Sequence, residues 1–178
     1  MSWAESIPMA EHEARMRLAL RQAERAAEEG EVPVGAVVYR GAELVGRAWN
    51  QTRALKDPTA HAEMLAITQA AAAVGDWRLG ECVLYVTKEP CPMCAGAAVL
   101  ARLPLVVWGA NDPLRGGAVS RFNILQSAEL NHRAEALPGV LEGECAALLK
   151  AFFRRRREEN RENKTRKGTE EQDGQGDG

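Results

Sequence analysis

Cys82-Val83-Leu84-Tyr85-Val86-Thr87 is followed, across Lys88, by Glu89-Pro90-Cys91-Pro92-Met93-Cys94. The first half is a short apolar, partly β-branched run with the length of one strand, over 82–87. The second half opens a helix over 92–101. Proline fits the first helical turn, where an N–H would be unpaired anyway. A second apolar run at 105–109 completes a strand-helix-strand unit. Neither run alternates inward and outward residues, and a third at 32–39 also lacks alternation. Strands covered on both faces have this composition, so the unit belongs to a sheet sandwiched by helices.

The flanking sequence extends the unit. Met9, Met16, Ala19, Leu20, Ala23 and Ala27 recur at helical spacing, and Gly30 stops the run, which predicts a helix over 9–29. Residues 32–39 and 43–49 read as a two-stranded hairpin around Arg40-Gly41, with Pro33 tolerable only at the strand start. Asp57-Pro58-Thr59 is a helix-entry signal with Asp57 or Thr59 as cap, and an alanine-rich helix over 60–74 ends at Gly75. Beyond Asn111 come a glycine-rich loop at Arg115-Gly116-Gly117, a short helix over 122–126 and a short strand over 133–137. A last helix opens at Pro138 and runs to at least Arg157. The expected fold is α/β in three layers, α/β/α, with a central mixed five-stranded sheet flanked by helices. Residues 1–157 form the folded domain. Residues 158–178 form a basic then acidic tail, expected to be largely disordered after about 167 for want of apolar residues.

A formal net charge of −2 excludes a molecule that binds nucleic acid through its overall charge. Basic character is local: Arg154 to Arg157 is unbroken, and Arg161, Lys164, Arg166 and Lys167 continue it. This run fits a phosphate anchor better than a merely solvated helix end, where cations are also favourable, though Glu158, Glu159 and Glu162 dilute it. The four cysteines do not read as a disulfide framework, because two form a C-x-x-C and no basic-then-apolar leader is seen. The longest apolar candidate, 95–107, is broken by Arg102 and Pro104, short of the roughly 20 residues that span a bilayer. A soluble, cytoplasmic protein without membrane attachment is expected.

Cys91-Pro92-Met93-Cys94 alone fits a redox pair or half of a structural zinc site. Cys82 and Cys145 supply no second C-x-x-C and read as core. His61-Ala62-Glu63 changes the balance, giving H-x-E…P-C-x-x-C. Cysteines three apart at a helix start place both sulfurs on one turn, and His61 at another helix start supplies a third ligand. Three protein ligands leave zinc a place for water, the mark of a catalytic site. Glu63 is then available as proton shuttle, provided His61 sits at the very start of its helix. His12 and His132 have no such context and read as surface or packing residues.

Several stretches resemble the bacterial tRNA-specific adenosine deaminases of the cytidine/deoxycytidylate deaminase superfamily. They are Glu31-Val32-Pro33-Val34-Gly35-Ala36-Val37, Trp49-Asn50, Asp57-Pro58-Thr59-Ala60-His61-Ala62-Glu63, Glu89-Pro90-Cys91-Pro92-Met93-Cys94-Ala95-Gly96-Ala97, Asn131-His132-Arg133, Glu144-Cys145-Ala146-Ala147-Leu148-Leu149 and Phe152-Phe153-Arg154. The resemblance covers about 9–157 and implies a cytidine deaminase-like fold. It also implies inosine formation at the wobble position of tRNA-Arg(ACG), by zinc-bound hydroxide attacking C6 of adenine. His61, Cys91 and Cys94 would hold one Zn²⁺ per subunit, with Glu63 as acid and base. Asn50, Val34 and Ala62 would meet the base. Asp112, Phe153 and Arg154 would meet the tRNA anticodon loop, and the protein would be a homodimer. The loop after the fourth strand departs from the family: Leu114 stands where a lysine is common, and Val119 where a glycine is common. Two rivals share these features: a free-base or nucleoside deaminase acting on guanine or cytosine, and a non-catalytic RNA-binding subunit. The basic last helix and Ala95-Gly96-Ala97 weigh against the first; Glu63 weighs against the second.

Overall fold

In the computed structural model, residues 2–173 are described, with side chains as far as Lys164. The elements are α1 (Met9–Glu28), β1 (Gly35–Arg40), β2 (Glu43–Trp49), α2 (Ala62–Val74), β3 (Cys82–Lys88), α3 (Pro92–Leu100), β4 (Leu105–Ala110), β5 (Glu135–Leu137) and α4 (Glu142–Asp173). The sheet order is β2-β1-β3-β4-β5. β1 is antiparallel to both β2 and β3, whereas β3-β4 and β4-β5 are parallel. The mixed five-stranded sheet is therefore as expected.

Successive residues of the central strands serve opposite cores. Val37, Val83, Tyr85, Leu105 and Val107 pack with Met16, Ala19 and Leu20 of α1 and with Cys145 of α4. Val38, Leu84, Val86, Val106 and Trp108 pack with Ala66 and Ala70 of α2 and with Ala95, Ala98 and Val99 of α3. Both faces are dry, which is why these strands show no alternation in sequence. Cys82 and Cys145 are buried core residues. His12 is fully buried, with Nδ1 3.0 Å from Tyr85 Oη and Nε2 3.1 Å from the Ala4 carbonyl, so it is a packing residue.

Some local expectations are corrected. β1 starts at Gly35 rather than at 32, because Val34 N–H turns back to the Val32 carbonyl across Pro33, which has no N–H to pair. Neither Asp57 nor Thr59 caps α2: Asp57 Oδ1 accepts bonds from the Thr59 N–H and hydroxyl, and His61 holds the cap position. The short helix over 122–126 is absent. Asn123 has φ 49°, and Ile124 and Leu125 donate to Gly117 and Ala118 in the preceding loop instead of to their own turn. The last helix starts at Glu142 rather than Pro138, after Gly139 and Leu141 at φ 84° and 54°. It continues through the tail to Asp173, as strong helix formers such as Glu, Arg and Lys permit. The expected loss of order after about 167 concerns, for 174–178, residues outside those described.

Candidate active site

β2 and β3 are both antiparallel to β1 between them, so they run the same way. The helices that follow them, α2 and α3, therefore begin at one edge of the sheet. His61 and Cys91 each occupy the extended residue just before a helix, and Cys94 lies in the first turn of α3 behind Pro92. This brings His61 Nδ1 to 3.6 Å from Cys91 Sγ and 3.5 Å from Cys94 Sγ. All three ligand atoms lie within 4.8 Å of one another. Zinc–sulfur and zinc–nitrogen bonds of about 2.3 and 2.0–2.1 Å at a tetrahedral angle require N···S separations of roughly 3.5 Å. The His61–Cys91 and His61–Cys94 separations thus match those around a zinc ion.

Because His61 lies outside the helix and Glu63 in its first turn, the two side chains need not share a helix face. Glu63 is only 4% exposed. Burial pushes its carboxyl above the usual carboxylate range. The two thiols differ in proton affinity. Cys91 is lowered to about 4, chiefly by the hydrogen bond from Cys94 and also by His61. Cys94 is pushed up by that same bond and by burial, and His61 is raised by its bond to Cys91.

The site opens into a cleft of about 500 Å³. Val34, Asn50, His61, Glu63 and Cys91 line it, and Asp112 and Phe153 stand on its wall with Lys88, Leu114 and Arg115. Cys94 is buried behind the lining. Ala62 is fully buried among core residues, and Arg154, exposed one residue past Phe153, is not part of the lining.

Sequence reasoning attaches no role to two buried glutamates that fasten the cleft walls. Glu31 accepts from Asn50 Nδ2, from the Thr52 hydroxyl and from the Arg53 and Ala54 N–H groups. Glu89 accepts from the Asp112, Val119 and Ser120 N–H groups and from the Ser120 hydroxyl. Each lies beside a proline-containing segment, but its partners are distant in sequence, so the chain gives no sign that the acid turns inward. Burial alone would raise Asp112, but the Lys88 ammonium and the Arg115 and Leu114 N–H groups outweigh it and hold the carboxyl below its usual range.

A family model described as MafB19-like deaminase matches residues 10–157. A tRNA-specific adenosine deaminase from Bacillus subtilis (strain 168) is 48% identical over 153 residues, covering 86% of this chain and 95% of that protein. A solved structure from work on A-to-I editing by tRNA:A34 deaminases at the wobble position of transfer RNA is 40% identical. It superposes with a TM-score of 0.74, covering 76% of this chain and 99% of its own. A guanine deaminase from Nitrosomonas europaea superposes at 0.69 with 24% identity, over 79% of this chain and 83% of its own, a likeness of fold alone. No described helix is long and apolar enough to cross a membrane. With the fold, the converging donors and these identities together, the chain belongs to the tRNA-specific adenosine deaminase family.

Proposed function

We propose that this chain hydrolyses adenosine to inosine at wobble position 34 of tRNA-Arg(ACG), as a cytoplasmic, zinc-dependent homodimer. The observation that carries the reading is the convergence of His61, Cys91 and Cys94 at zinc spacing beside buried Glu63, on the floor of a cleft. His61, Cys91 and Cys94 would hold one zinc ion per subunit, which when bound supplies a Lewis acid that lowers the pKa of water. Glu63 takes one proton from the attacking water and passes it to N1 of the purine, then takes the proton left on the new C6 hydroxyl and passes it to the departing amine, so that ammonia leaves and the product keeps its N1–H. Its raised proton affinity suits a group that must both accept and return a proton.

Val34 offers an apolar surface to the ring. Asn50 presents an amide whose orientation Glu31 fixes. Ala62, with its methyl group in the core, reaches substrate only through its backbone. Phe153, 44% exposed on the cleft wall, offers a stacking surface for a base turned out of an RNA loop, and Arg154 offers a charge to its phosphates. The aromatic and arginine pair favours an anticodon loop over a free base. So does the 48% identity to a tRNA-specific adenosine deaminase over 86% of this chain.

The test is an arginine tRNA transcript carrying adenosine at the first anticodon position. Inosine is expected there with wild-type protein. Glu63→Ala is expected to abolish conversion, by at least about 10³-fold, while the protein retains its zinc. Conversion of free guanine with the tRNA untouched would overturn the substrate; retained activity in the alanine variant would overturn the role of Glu63.

A further inference from the structure

Lys88 closes β3 and its side chain lines the cleft, about one-third exposed. An ammonium has three N–H donors. The structure gives Lys88 Nζ one partner, Asp112 Oδ2, in a close charge-assisted contact. Asp112 Oδ1 is occupied too, accepting the Leu114 and Arg115 N–H groups at 3.2 and 3.0 Å. Asp112 thus spends most of its acceptor capacity on its own chain, and a phosphate brought to this carboxylate would be repelled. Lys88 is the reverse case: a cation in the cleft, held from one side, with donors left for an anion.

We infer that Lys88 is a substrate-binding residue that takes one phosphate of the RNA strand in the cleft, and that Asp112 is the positioning residue that aims it. This assignment rests on the RNA substrate proposed above. It ties two cations together, because the carboxylate that holds Lys88 fixes the backbone of Arg115, which lines the same cleft. A phosphate contact carries no base information, so Lys88 contributes affinity and register, not the choice of adenine.

The experiment uses the full chain with zinc bound and an anticodon stem-loop with adenosine at its first anticodon position. Binding is followed by fluorescence anisotropy as salt rises, and conversion under steady-state conditions. Lys88→Met is expected to weaken binding about tenfold at low salt and to lower the log–log salt slope by about 0.7, the share of one single-strand phosphate. KM should rise in step while kcat stays within about twofold. Lys88→Arg should restore the slope. Asp112→Asn should keep the slope, because the cation remains, with affinity reduced about threefold. Equal zinc content in the variants separates these effects from damage at His61 and Cys91, and Lys88→Gln replaces the methionine variant if that one does not fold. A wild type that converts the stem-loop, with a Lys88→Met variant that keeps the wild-type slope, overturns the assignment alone. A wild type that neither binds nor converts it overturns the RNA reading and the assignment together.

Discussion

Glu89 stands two residues before Cys91, and its carboxylate is closed to solvent. Oε1 accepts the Val119 and Ser120 N–H groups at 3.0 and 2.8 Å, and Oε2 accepts the Asp112 N–H at 2.9 Å. One side chain thereby fastens the loop carrying Asp112, Leu114 and Arg115 to the segment carrying Cys91. Burial pushes its carboxyl up, but the bonds from Ser120, Asp112 and Val119 outweigh this and hold it below the usual range. A carboxyl depressed in the folded state adds stability above its unfolded pKa, about 4.3, and that contribution fades as pH falls through the lower folded value. Glu89→Gln puts an amide N–H₂ against N–H donors. It should cost about 2–3 kcal/mol at pH 7 in urea unfolding, with the gap to wild type narrowing below about pH 4. A gap that stays constant with pH would show that ionisation of Glu89 is immaterial. The contrast with His61, Cys91 and Cys94 explains what is legible at this scale. Metal chemistry demands particular residue types at particular spacings, so those three stand out in the chain. Glu89 beside a proline looks like any surface acid, because its partners lie 23 to 31 positions away.

α2 carries His61 and Glu63 at its start and lies directly on β2. The contact depends on Gly46: a Cβ there would press into the Ala66 carbonyl oxygen, a backbone atom that moves only if the helix moves. Gly46→Ala should therefore lift α2 and cost about 1–3 kcal/mol by overpacking. It should also weaken zinc retention, because His61 moves relative to Cys91 and Cys94. Thermal unfolding and zinc content after dialysis measure the two effects, and unchanged zinc content at lowered stability would mean that the helix tilts about its start instead. The elements themselves are legible where one physical cause dominates. β3 and β4 match their sequence reading to within one residue, since burial on both faces leaves an unambiguous apolar run. The segment 122–126 misleads for the opposite reason. Phe122, Ile124 and Leu125 imitate a helical turn, but Phe122 is exposed, and the backbone is committed to Gly117 and Ala118. Tertiary hydrogen bonds decide that segment, and hydropathy carries no trace of them.

On the molecule as a whole, one face of the α2–α3 layer remains apolar. A groove of about 570 Å³ lies there, lined by Ile67, Ala71, Trp77, Ala97 and Leu100, with Trp77 and Leu100 55% and 69% exposed. A contiguous apolar surface of this kind on a chain of near-neutral charge favours association, and two-fold symmetry would set the same face of a second copy against it. This is where the proposed homodimer would form. Leu100 points outward from the last turn of α3, so a charge at this position leaves the core intact and must be desolvated only if a partner covers it. Leu100→Glu should therefore run as a monomer in light scattering at concentrations where wild type is a dimer, with an unchanged circular dichroism spectrum. Deamination should fall with it if both subunits shape each cleft, since α3 also carries Cys94 in its first turn. A wild type that is monomeric at micromolar concentration, or a glutamate variant with wild-type mass, would place the interface elsewhere or remove it. A monomeric variant with full activity would keep the interface but free each cleft from its neighbour.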